Sequence, residues 1–359
     1  MRGSTRFRVR RSSISFEITH DYMTKRRLPA SGINLFQLIY LLIEEYERTS
    51  HQKVLNLSLG NPDLLPPVEI LESLALSSGQ SRLDYQTYGE DKDLENFSAR
   101  MVELHGRIHL REHPHLKAFP IAGIKTASGV LPLACGLHLS DRTQFVTVTG
   151  APSYDVCGNF GGSYLGGKRI AWPLLIEDGM KPSLSRLQSA LVRTGTAKPN
   201  LIFLVRPGNP SAVAASLAEW QELFDFCRKN GTRLVSDAAY AGLAGSQHVP
   251  LAQAAAKEKD LEWAELYSVS KSFSHPGARL GAIVGSSDFI DDFRIVQGNT
   301  DSGPNPSVTA AYGRIFSQPG LAERLLTEIR GIYERRKSWL ISELTQAGLK
   351  PPCNPDAGF

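Results

Sequence analysis

The chain has few cysteines: Cys135, Cys157, Cys227 and Cys353 are the only four in 359 residues, and no two form a Cys-x-x-Cys pair. That spacing excludes a disulfide framework and a cysteine zinc site, and it suits reduced thiols in a cytoplasmic protein. Long hydrophobic runs are also missing. The longest, Leu35 to Ile43, is broken by Gln37 and stops at Glu44-Glu45, far short of the roughly 20 apolar residues of a membrane span. Charge of one sign is scarce, since 40 Lys and Arg face 36 Asp and Glu for a net +4. Much of that excess sits at Arg2, Arg6, Arg8, Arg10 and Arg11, so nothing demands nucleic acid as a partner. No internal repeat is present. His109, His113 and His115 lie close together, but they have no cysteine partner and Pro114 intervenes, so no metal site is expected. Gly162-Ser-Tyr-Leu-Gly166-Gly167-Lys168-Arg169 approaches a nucleotide phosphate loop, yet Arg169 stands where the magnesium-binding Ser or Thr belongs. Gly158-Asn-Phe-Gly161-Gly162 is no dinucleotide fingerprint either.

What is present is an ordinary globular composition, 42% hydrophobic and 21% charged, on a chain long enough for one large domain and a smaller one. Residues 1–32 read as a basic, disordered tail. Apolar residues at helical spacing from Asn34 to Glu47 place a helix in residues 33–55, assigned to the smaller domain. Residues 56–298 read as the large domain and 299–359 as the rest of the small one. A strand is expected from Val54 into the turn Gly60-Asn-Pro-Asp63, and an amphipathic helix from about Leu94 to His105. A helix opens in Gly123-Ile-Lys-Thr-Ala-Ser128-Gly129-Val130. Short apolar cores then mark strands at Phe145–Val148, Leu201–Val205, Arg233–Ser236, the stretch ending at Tyr267, and Ala282–Val284. Helical patterns separate several of them, notably Leu217 to Lys229, and a long charged helix runs from Leu321 to Leu344. Continuous apolar runs alternating with amphipathic helices predict a mainly parallel sheet covered on both faces.

The chemistry-bearing residues fall at strand ends. Ser268-Val-Ser270-Lys271-Ser-Phe-Ser-His-Pro-Gly-Ala-Arg279-Leu-Gly281 puts a lysine at the mouth of the sheet, where open α/β sheets take ligands, with an arginine beyond it. A lysine partly desolvated there is a usable amine nucleophile. Asn209-Pro210 follows the strand ending at Val205, and Asp237-Ala-Ala-Tyr240 follows the next. A carboxylate with a tyrosine three residues on suits the two polar edges of one aromatic ring. Thr126-Ala-Ser128-Gly129-Val130 reads as a helix start with free N–H groups for a phosphate.

Taken in order, these motifs resemble the class I/II aminotransferase family of fold-type I pyridoxal-phosphate enzymes, over roughly residues 33 to 359. The resemblance implies an α/β fold: a large domain with a seven-stranded, mainly parallel sheet flanked by helices, and a smaller α/β domain from the two chain ends. It implies pyridoxal 5'-phosphate as cofactor, with Lys271 forming the internal aldimine and shuttling the proton. Asp237 would face the pyridine nitrogen, and Tyr240 and Asn209 the phenolic oxygen. Ser128, Gly129, Val130, Ser268, Ser270 and Arg279 would hold the phosphate. Tyr154 would stack on the ring. Tyr85 would reach the neighbouring subunit's phosphate, implying a homodimer with shared sites, and Gly60 and Asn209 would lie near the substrate. Substrates would be an amino acid and a 2-oxo acid. The same scaffold also supports lyases and decarboxylases, or a non-catalytic binding domain. The family's Asn-Pro-Thr-Gly reads Asn209-Pro210-Ser211-Ala212 here, and its Asp-Glu-x-Tyr reads Asp237-Ala-Ala-Tyr240. Ala357-Gly358-Phe359 resembles a strand after which several dozen residues normally follow, so a C-terminally truncated small domain is expected, without the family's carboxylate-binding arginine.

Overall fold

The apolar runs become the interior of one sheet. The computed structural model describes residues 35–56, 60–89, 92–139 and 141–357; the tail expected over residues 1–32 lies outside them. Among the described residues the strands are β1 (Leu116–Ile121), β2 (Val146–Ala151), β3 (Lys168–Pro173), β4 (Leu201–Val205), β5 (Arg233–Asp237), β6 (Trp263–Ser268) and β7 (Gly281–Ser286). They form a single sheet in the order β1-β7-β6-β5-β4-β2-β3. Every pairing from β3 through to β6 is parallel, while β7 runs antiparallel to both β6 and β1. All residues of β4 and β6 are buried, as expected of central strands covered on both faces.

Sequence and structure differ at the sheet's edges. β1 and β3 were not expected from the sequence, and they are the two outermost strands. β1 carries Pro120 and β3 carries Lys168 and Arg169. Proline and charge are what an edge strand tolerates, and they hide it from a search for apolar runs. The strand expected from Val54 does not form over residues 54–56, and residues 57–59 lie outside the described set.

The chain divides into two units at Asn56. In the first, α1 (Leu35–Ser50) is followed by Val54, whose N–H donates to the Glu47 carboxylate at 3.0 Å. In the second, the helices are α2 (Val68–Ser78), α3 (Phe97–Gly106), α4 (Ile124–Ala134), α5 (Val156–Ser163), α6 (Leu184–Arg193) and α7 (Leu217–Asn230). They continue as α8 (Leu251–Ala255), α9 (Val269–Ser272), α10 (Ser287–Gly298), α11 (Pro306–Phe316) and α12 (Leu321–Gln346). Local signals set their ends. Ser216 and Glu219 close a capping box on α7, and Gly231 ends it in the left-handed region.

On one face of the sheet, Phe203, Val205, Val235, Leu266 and Ile283 pack under Ile124 and Leu131 of α4 and Phe289 and Phe293 of α10. On the other, Ile202, Leu204, Leu234 and Tyr267 pack with Trp220 and Phe224 of α7 and Phe97 and Met101 of α3. That second face holds a buried acid. Glu265 accepts from the first N–H groups of α8, Leu251 at 3.0 Å and Ala252 at 2.7 Å. It also accepts from Tyr267 OH at 2.6 Å and Ser236 Oγ at 3.2 Å. Burial pushes this carboxyl up despite those bonds. Among the described residues, no helix is long and apolar enough to cross a membrane.

Candidate active site

Parallel register brings the strand ends level. Val205 pairs with Asp237, and Asp237 with Leu266, so the segments that leave β4, β5 and β6 start side by side at the C-terminal ends of these central strands. Asp237 is 4% exposed, and its Oδ1 accepts from Ala239 N at 3.0 Å. Burial raises its pKa from 3.8 to about 7, with the Ala239 bond and nearby Lys271 opposing. Burial likewise lowers the Lys271 pKa, and Asp237 opposes that shift. For both groups desolvation outweighs their mutual attraction. This places an amine less basic than an ordinary lysine next to a carboxyl that titrates at about 7.

Lys271 sits in the one-turn helix α9. Ser268 caps it, accepting from Ser270 N at 3.0 Å, and Ser272 Oγ donates back to Ser268 O at 2.8 Å. The Lys271 amine donates to Gly60 O at 3.4 Å, which brings the Gly60 turn to the lysine. Asn209 Nδ2 donates to Tyr240 OH at 3.2 Å, joining the loops that follow β4 and β5. Burial, then Asp237, pushes the Tyr240 phenol up to about 12. Tyr154 N donates to Asn209 O at 3.1 Å. The Tyr154 phenol is raised by burial and by Asp237 and lowered by Arg279, so those three side chains share one electrostatic neighbourhood. Lys271, Asp237, Tyr240, Asn209, Tyr154, Arg279 and Gly60 therefore converge.

The anion-binding corner differs from expectation. Helix α4 begins at Ile124, and its first internal bond runs from Ala127 N to Gly123 O at 3.3 Å. The N–H groups that precede this bond belong to Ile124, Lys125 and Thr126. Ser128, Gly129 and Val130, expected to cradle a phosphate, lie in the second turn, where N–H groups serve the helix itself. The Ser-Gly pair imitates a helix start one turn too late. Gly123, named at the head of this helix in the sequence but given no role there, is its N-cap. Its φ is +87°, and a Cβ there would lie 2.6 Å from Nη2 of Arg279, so the guanidinium rests against the N-terminus of α4. A glycine directly before an apolar helix was the available signal. Ser268 is engaged within its own loop, its hydroxyl donating to Leu280 O at 3.4 Å, and Ser270 gives its N–H to Ser268.

Tyr85 also departs from expectation. It is 2% exposed, Arg82 lies over its ring at 4.4 Å, and its OH donates to Glu95 Oε1 at 3.3 Å. Within this chain its side chain is turned inward and engaged by its own neighbours. Tyr88, three residues on, is 77% exposed.

The family model for aminotransferase class I and II matches residues 52–359. The chain belongs to this family. Similar proteins include the LL-diaminopimelate aminotransferases of Moorella thermoacetica and Syntrophobacter fumaroxidans. The first is 26% identical over 82% of this chain and 72% of its own length. The second is 27% identical over 83% and 73%. Among solved structures, an aminotransferase from Mycobacterium tuberculosis superposes with a TM-score of 0.74 at 20% identity, covering 93% of this chain and 82% of that one. A double mutant of the Thermus thermophilus aspartate aminotransferase does so with 0.73 at 18%, covering 93% and 84%. These likenesses establish the fold-type I architecture. The family makes the protein an aminotransferase.

Proposed function

We propose that the protein moves an amino group from an amino acid to a 2-oxo acid with pyridoxal phosphate held on Lys271. The observation that carries this reading is the pairing of a partly buried amine with a fully buried carboxyl at the C-terminal ends of the central strands β5 and β6, each displaced from its usual pKa by burial. The residues fit the cofactor. Asp237, protonated below about pH 7 on its own, ionises readily opposite an aromatic N–H cation and so holds that cation charged. The Asn209–Tyr240 pair offers donors to a phenolic oxygen. Arg279 and the first N–H groups of α4 form a cradle for a dianion, and a Cβ at Gly123 would crowd it. The bound cofactor supplies an electron-withdrawing ring that eases loss of the Cα proton. Lys271 Nζ, once free, would be the base for that proton, since burial makes its amine less basic than an ordinary lysine. Tyr154 covers the ring's face.

The relatives' names make LL-diaminopimelate the first amino donor to try. A second copy of the chain is the macromolecular partner in this reading. Val68, Leu71 and Leu76 on the outer side of α2, with Leu83 and Tyr88, expose an apolar surface of the kind such a copy would cover, and sedimentation would read its assembly. The decisive experiment is borohydride reduction of the cofactor-loaded protein followed by peptide mapping. Label on the Lys271 peptide is expected; label on another lysine, or none, would overturn the reading.

A further inference from the structure

One buried carboxylate next to the site has no part in this scheme. Asp155 directly follows Tyr154, and its side chain is 2% exposed. Its Oδ1 accepts from Gly158 N at 2.6 Å, capping α5. Its Oδ2 accepts from Thr149 Oγ1 at 2.7 Å and from Arg169 Nε at 2.5 Å. Its backbone carbonyl accepts from Asn159 Nδ2 at 2.7 Å. Thr149 lies on β2 and Arg169 on β3. Their parallel register pairs Thr147 with Arg169 and Thr149 with Ala171, which puts both side chains on one face of the sheet. The residues that imitated a nucleotide loop have a local reason here. A Cβ on Gly158 would lie 2.7 and 2.9 Å from the Asp155 oxygens and 2.8 Å from Thr149 Cγ2. Arg169, which broke the phosphate-loop pattern, is the cation for this carboxylate.

We infer that Asp155 is a positioning residue for Tyr154. A helix cap needs one oxygen; the second oxygen ties the turn between β2 and α5 to both strands beneath it. On the other side, Tyr154 N is bound to Asn209 O. The tyrosine's backbone is therefore held from the sheet through its neighbour and from the Asn209 loop through its own N–H, which sets the point from which the ring enters the site. The inference rests on the reading in which Tyr154 covers the cofactor ring.

The test is a double-mutant cycle read by cofactor dissociation and by the circular dichroism of the bound cofactor, which reports how firmly the ring is held in one orientation. Asp155→Asn keeps an acceptor for Gly158 but puts a donor against Arg169. It should speed cofactor loss about tenfold and shrink the dichroic band, as expected when a charge-assisted bond is lost. In a Tyr154→Ala background the same change should alter cofactor loss less than about twofold, because residues that act through one another are not additive. Arg169→Gln, at a side chain 37% exposed, leaves the helix cap intact and should show the same dependence on Tyr154 if Asp155→Asn folds poorly. Equal effects with and without Tyr154 would overturn the inference, as would unchanged cofactor retention in both single variants. Failure of the parent chain to take up pyridoxal phosphate would instead refute the site reading, and this inference with it.

Discussion

Replacing Asp237 by asparagine should stabilise the cofactor-free protein while disabling it. The amide keeps an acceptor for Ala239 N but cannot ionise. In the native chain the Asp237 carboxyl holds its proton to about pH 7, whereas its ordinary pKa is 3.8. Between those limits the folded state binds a proton that the unfolded state has released. This group's contribution is therefore fully present below about pH 4 and lost as pH rises through about 7. Above that, the folded protein carries a buried anion. At about 1.4 kcal/mol per tenfold change in proton affinity, the whole effect comes to ~4 kcal/mol at most. Urea unfolding of both cofactor-free proteins, at about pH 4, 6 and 8, reads it directly. The asparagine variant should match the parent at the lowest pH and exceed it by ~2–4 kcal/mol at the highest. Loaded with cofactor, the variant should transaminate at least about a hundredfold more slowly, because no anion keeps the ring cation charged. A stability difference that is constant across pH would show that burial does not raise this carboxyl, and the reasoning would fail.

Gly123→Ala puts a Cβ 2.6 Å from Nη2 of Arg279 at a φ of +87°; cofactor affinity, followed by fluorescence titration, should fall about tenfold, with ~1 kcal/mol lost from stability. Tyr240→Phe removes the hydroxyl that accepts from Asn209 Nδ2 and should slow turnover roughly five- to tenfold, the worth of about 1 kcal/mol. Adding Asn209→Ala to it should cost less than the same change in the parent, since the two share one bond, although the donor that Asn209 offers the phenolic oxygen is lost in both. Glu265→Ala strands the N–H groups of Leu251 and Ala252 and the hydroxyl of Tyr267; chemical denaturation should show a loss of ~3–5 kcal/mol.

The central strands were legible because burial on both faces writes an unbroken apolar run, as in Leu201–Val205. The edge strands β1 and β3 were not, because among the described residues one side of each meets no partner strand and their composition is free to include Pro120, Lys168 and Arg169. The convergence of Lys271, Asp237, Asn209 and Arg279 was legible for a related reason: each stands just beyond an apolar run, so locating the run locates the residue. The helix start at Gly123 was legible, but which of its N–H groups stay free and the inward turn of Tyr85 were not. Ser128-Gly129 carries a capping signature that the chain does not use, since apolar Ile124 already opens the helix. Whether a loop tyrosine turns inward depends on Arg82 and Glu95, whose side chains meet it only in three dimensions. Asp155 was hidden too. Its partners Thr149 and Arg169 come from two adjacent strands, and one of those strands was itself unseen.

The reversal of β7 has a consequence for how the site comes into being. Ser268 pairs with Gly281, so Lys271 and Arg279 lie on one short loop between neighbouring antiparallel strands. Asn209 and Asp237, by contrast, reach the same place only after β4 and β5 have been joined across helix α7. Loop closure over a few residues is fast and parallel crossover pairing is slow. Pulsed hydrogen exchange during refolding should accordingly protect the amides of Ala282 and Val284 before that of Ala239. The loop that carries Lys271 and Arg279 is closed by a local event, and its meeting with Asp237, Asn209 and the start of α4 is a global one.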